Sequence, residues 1–68
     1  MVMLTREAVE NLMYMASYLG VTDNVRSCAL TDGTRYMRIR TLTGWYTAHT
    51  VVQAVRLLLE CHNEGSLT

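Results

Sequence analysis

The sequence predicts one small α+β domain spanning residues 1–68, with two helices packed on one face of a small antiparallel sheet in the order α-β-β-(β)-α. Three observations carry this reading. Apolar residues recur at helical spacing near both ends of the chain, Asp32-Gly33 stands between two β-prone runs, and 50% of the residues are apolar. The last excludes intrinsic disorder, and the first two set helices on either side of a central hairpin. A chain of 68 residues lies near the lower limit for folding alone, where the net gain from one core is small.

The first helix is predicted over Thr5 to Leu19. Leu4, Ala8, Leu12, Met15, Ala16 and Leu19 fall on one side at spacings of three and four residues. Thr5 is placed to cap the start, and Gly20 supplies a left-handed stop. Glu7, Asn11, Tyr14 and Tyr18 form a second stripe facing away from the apolar side.

The hairpin is predicted over Val25 to Arg40. Asp-Gly is the strongest short hairpin signal, because a type I′ turn needs positive φ at both central residues. A two-residue turn pairs Thr31 with Thr34, Ala29 with Tyr36, Cys28 with Met37 and Ser27 with Arg38. Cys28, Leu30, Met37 and Ile39 then share the core face, with Arg26 and Arg35 at its ends. Ser27, Ala29, Thr31, Thr34, Tyr36, Arg38 and Arg40 share the open face.

Thr43-Gly44 marks a second turn, with Trp45-Tyr46-Thr47 as a short third strand whose facing is left open. Thr47 is placed to cap a second helix from about Ala48 to His62. On it Val51, Val52, Val55, Leu58 and Leu59 face the core, while His49, Gln53, Arg56 and Glu60 are solvated. Ala54, Leu57 and Cys61 widen the apolar arc, Gly65 stops the helix, and residues 63–68 form a frayed polar tail. The order of elements resembles the double-stranded RNA-binding domain. That family carries a basic cluster at the start of its second helix, where this chain has Thr47-Ala48-His49-Thr50. The resemblance therefore implies the order of elements and not the family's ligand.

Composition narrows the function classes. Six arginines balance six carboxylates, so the whole molecule has no net field to steer toward nucleic acid or an anionic membrane. Arg6, Glu7 and Glu10 interrupt the apolar start before a signal peptide's core can form, and the run at Leu57-Leu58-Leu59 is too short to span a bilayer. Cys28 and Cys61 make no disulfide framework, which points to a cytoplasmic protein with reduced thiols. No Cys-x-x-Cys or His-x-x-x-His spacing exists, so neither a metal nor another cofactor is expected. Pairing Cys28 or Cys61 with His49 or His62 lacks an orienting group and an oxyanion site, so no enzymatic activity is expected.

Two surfaces remain as candidate binding sites. Tyr36, Arg38 and Arg40 alternate along one strand and project from one sheet face. Tyr14 and Tyr18 stand on the outer side of the first helix as amphipathic groups suited to an interface. The expectation is a homodimeric protein-binding module, because the apolar content exceeds what one small core hides. The role expected of it is that of an accessory or inhibitor protein, of the phage or mobile-element type, that occludes or modulates a larger macromolecular partner. The alternative is a small nucleic-acid-binding regulator that uses the open hairpin face.

Overall fold

The computed structural model describes residues 3–66. Helix α1 spans Arg6–Leu19, a single 3₁₀ turn spans Thr22–Asn24, strands β1, β2 and β3 span Val25–Ala29, Arg35–Thr41 and Gly44–Ala48, and helix α2 spans Val51–Ser66. The sheet is antiparallel in the order β1-β2-β3, which gives the expected α+β fold with the third strand present. Both helices lie on one face, with α2 across β2 and β3 and α1 packed beside it toward β1.

The ends of α1 follow the sequence closely. Thr5 Oγ1 accepts the Ala8 amide at 3.1 Å, satisfying one of the helix's orphan donors. Gly20 closes the other end at φ +71°, returning its amide to Ala16 and Ser17. The buried side carries Leu12 and Ala16 as expected, together with Val9.

The hairpin departs from the predicted register by one residue. Ser27 pairs with Met37, Cys28 with Tyr36 and Arg26 with Arg38. Asp32 keeps a negative φ, so the type I′ turn does not form, and the positive φ falls on Gly33 alone at +88°. The loop is instead Thr31-Asp32-Gly33, with Gly33 N–H donating to Leu30 C=O at 3.0 Å and Leu30 N–H to Thr34 C=O at 2.8 Å. This is the three-residue hairpin in which a type I turn is followed by a left-handed glycine. Asp32 Oδ1 accepts the Thr34 amide at 2.9 Å and tightens the turn.

A slip of one residue turns every side chain of a strand to the other face. Val25 is therefore buried against Ile39, whereas Leu30, predicted in the core, is 53% exposed and Cys28 is half-buried on the open face. Strand β2 keeps its predicted faces, with Met37 and Ile39 fully buried. Burying Val25 beside a second β-branched residue, and sparing Asp32 a left-handed backbone, together outweigh the exposure of Leu30.

Helix α2 begins later than predicted. Thr47 and Ala48 belong to β3, and the cap is Thr50, whose Oγ1 accepts the Gln53 amide at 3.2 Å. Gln53 Oε1 in turn accepts the His49 amide at 2.8 Å, a capping box reaching one residue further back than usual. Ala54, Leu58 and Cys61 form the buried side, Leu57 is half-buried, and Val52 and Leu59, predicted to face the core, are exposed. Residues 63–66, expected in a frayed tail, continue the helix past Gly65. Glu64 Oε2 accepts the Leu42 amide at 2.8 Å and ties the β2–β3 turn to the end of α2. Residues 67 and 68 lie outside the described residues.

Candidate functional site

The open face of the sheet is built by strand alternation. With Met37 and Ile39 committed to the core, Tyr36, Arg38 and Arg40 must project to the other side, as predicted. The observed registers place Arg26 opposite Arg38 with Thr47 beyond it, Cys28 opposite Tyr36, and Trp45 opposite Arg40. Arg26, expected on the apolar face, thus joins the open face through the same slip that moved Cys28 and Leu30. Small Ser27 and Ala29, expected on the open face, turn to the helix side.

Trp45 organises the patch. The guanidinium carbons of Arg26 and Arg38 stand 5.8 and 5.6 Å from its ring centroid, within cation–π range. Tyr36 and His49 meet at the end of the face, with ring centroids 6.1 Å apart at 37°. No carboxylate of the described residues pairs with Arg26, Arg38 or Arg40, whereas Arg6 on α1 reaches Glu10 at 3.5 Å.

Neutral total charge conceals this distribution. The three strands hold Arg26, Arg35, Arg38 and Arg40 and no carboxylate. The rest of the chain holds two arginines against all six carboxylates, a net charge of −4. Such separation sets up a local field that matters within a Debye length of the face, about 8 Å at physiological salt.

Tyr14 and Tyr18 lie on the helix layer, away from this face, at 71% and 94% exposure. They do not act as one patch with the strand residues. Tyr14 lines an open groove of about 550 Å³ between α1 and the helix-side face of β1, together with Val9, Met13, Ser17, Ser27 and Arg35. Tyr18 stands outside it.

The cysteines and histidines are dispersed. Cys61 is buried in the core, where burial, and secondarily the Glu64 carboxylate, push its thiol up against a weaker opposing hydrogen bond from Asn24. His62 Nδ1 lies 3.2 Å from the Leu19 carbonyl at the end of α1. Among the described residues no three His, Cys, Asp or Glu side chains converge in a metal-binding group, and no helix is long and apolar enough to cross a membrane.

Sequence reasoning identified the β2 side of the patch and missed Trp45 and Arg26. The signal for Arg26 was the hairpin loop, since reading Thr31-Asp32-Gly33 as three residues places it on the open face. The short β2–β3 turn then brings Trp45 opposite Arg40. No protein-family model, curated protein or solved structure matches the chain, so the face is read from its own chemistry.

Proposed function

We propose that this chain is a small non-enzymatic binding module, homodimeric in action, that lays the open face of its sheet on an anionic surface of a larger protein and thereby occludes or modulates it. The observation that carries the reading is the group of Arg26, Arg38 and Arg40 around Trp45 on a face without a carboxylate. Arg26 directly opposite Arg38 is a like-charge pair, which costs the sheet stability. A counter-charge from a partner would relieve that cost. Arg, Trp and Tyr are also the residues that dominate binding energy in protein interfaces. The reading extends to an accessory or inhibitor protein of the phage type, working in a cytoplasm that keeps both thiols reduced. A catalytic thiol needs a lowered pKa, and Cys61 is shifted the other way.

Single-stranded nucleic acid is the second reading, favoured by Trp45 and the Tyr36–His49 pair on one sheet face. Magnitude ranks it second. Neutralising three phosphates gives a salt dependence of only about −2 in log–log slope for a single strand, with correspondingly weak attraction. The net −4 on the helices and turns cancels long-range steering.

The test is affinity capture from host lysate, with and without nuclease treatment, using the parent, Arg38→Ala/Arg40→Ala and Tyr14→Ala/Tyr18→Ala. The expected result is a defined protein held by the parent and the Tyr pair and lost with the Arg pair. Retention by the Arg pair overturns the assignment to this face. Capture that vanishes on nuclease treatment transfers the function to nucleic acid.

A further inference from the structure

The free edge of β1 has the features of a pairing surface. Leu30 N–H bonds to Thr34 C=O, and Val25 N–H turns back to Thr22 C=O instead of crossing to β2. Antiparallel ladders alternate, so the backbone groups of Arg26 and Cys28 point to β2 while the N–H and C=O groups of Ser27 and Ala29 point outward. Both residues are exposed and small, and β1 is the outer strand of the sheet. The outward carbonyl of Val25 is already met by the Arg26 guanidinium at 3.4 Å. At the other edge, β3 carries the bulky Tyr46, and Met3 pairs with Thr50 just past its end.

We propose that a second copy of this chain pairs antiparallel along β1, joining two three-stranded sheets into one of six strands about a two-fold axis at Ser27. Unpaired strand groups are a template for pairing with another strand, and a two-fold axis makes the same edge its own complement. Centring on Ser27 lets the two Ser27 residues exchange both backbone bonds, with Arg26 opposite Cys28 of the copy and Val25, whose own N–H and C=O are already bonded to Thr22 and Arg26, opposite its Ala29. This keeps the Arg26 side chains from facing each other directly, which would destabilise the pair.

The helix layers come to lie on the same side of the joined sheet, with α1 antiparallel to its copy. The groove lined by Met13, Tyr14 and Ser17 then receives the same residues from across the axis. A strand edge alone falls short of the roughly 800 Å² that a stable interface takes from each partner, so this second layer of contact is required. The Arg–Trp faces fall side by side on the opposite surface. The inference names the surface behind the self-association in the functional reading and does not depend on what binds the open face.

Sedimentation of the full chain across micromolar concentrations tests it. The parent is expected at twice 7.7 kDa. Ser27→Pro removes only an outward N–H, which an edge strand tolerates, and is expected at the monomer mass with its circular dichroism retained. Ser27→Thr keeps the N–H and is expected to stay dimeric. Should Ser27→Pro lose its fold, Tyr14→Glu serves in its place, since it sets like charges across the axis from an exposed helix position. Register is read from Arg26→Cys, which stands opposite the native Cys28 at a separation a disulfide spans, and is expected to give a covalent dimer abolished by Cys28→Ser. A monomeric parent overturns the inference and leaves the capture experiment on the open face to be judged by itself. A dimer that survives both Ser27→Pro and Tyr14→Glu, without the cross-link, overturns pairing at β1.

Discussion

Two adjacent residues, Asp32 and Gly33, decide how this protein presents its surface. Only Gly33 carries positive φ in the loop, and an added side chain there meets no atom within 4 Å. Substitution is therefore a backbone matter and not a clash. Gly33→Val is expected to lower the free energy of unfolding by about 1–2 kcal/mol, the cost of a non-glycine residue in the left-handed region. Urea denaturation checks it, and an unchanged midpoint would contradict the three-residue loop. Asp32 contributes through its bond from the Thr34 amide, which holds its carboxyl below the ordinary carboxylate range. The folded state thus favours the ionised form. Its contribution is present above the unfolded value, near pH 4, and is lost as pH falls through the lower folded value. Thermal melts between about pH 6 and about pH 2 should show the parent losing more stability than Asp32→Asn, whose amide oxygen accepts the same bond without titrating.

At the level of elements, caps and latches account for what local propensity does not. Helix α2 starts at Thr50 and not at Thr47 because the capping box with Gln53 satisfies two amides, those of Gln53 and His49, that would otherwise be orphaned. Thr50→Ala is expected to cost about 0.5–2 kcal/mol, whereas Thr47→Ala, an exposed strand position, should change stability by less than about 0.5 kcal/mol. Equal effects by chemical denaturation would place the helix start wrongly. The far end of α2 owes its persistence to Glu64, which binds the Leu42 amide across 22 positions of sequence. That long-range contact is why a polar, glycine-containing segment continues as helix.

Across the whole molecule, the core depends on which face of β1 turns inward. Met37, Ile39 and Leu58 are the largest fully buried side chains, and the sheet adds Val25, Thr41 and Ala48 to the buried set. Ile39→Ala is expected to cost about 2–5 kcal/mol, a large part of what a domain this small possesses. Leu30→Ala, at a position 53% exposed, should cost much less, about 1 kcal/mol or below. Comparing the two by denaturation discriminates the registers, since the two-residue turn makes Leu30 a core residue. The same inversion carries Arg26 to the open face, so the stability of the fold and the composition of the candidate site rest on one structural choice.

Local patterns suffice for the α+β class, the first helix with its Thr5 and Gly20 ends, the inward facing of Met37 and Ile39, and the projection of Tyr36, Arg38 and Arg40 from the opposite face. These follow from periodicity, capping chemistry and the alternation within one strand, all of which act over a few residues. The register of β1, the side on which Trp45 lies, the start of α2 and the order of residues 63–66 depend instead on contacts between distant elements. Register compares two loops of similar local cost, and the difference is made by burying Val25 against Ile39, a contact between residues 14 positions apart. Trp45 had no local signal for its facing, and it meets Arg26 only once three strands lie side by side. Half of the candidate site was legible because one strand carries it. The other half was not, because a side chain's face in a sheet depends on the strand beside it.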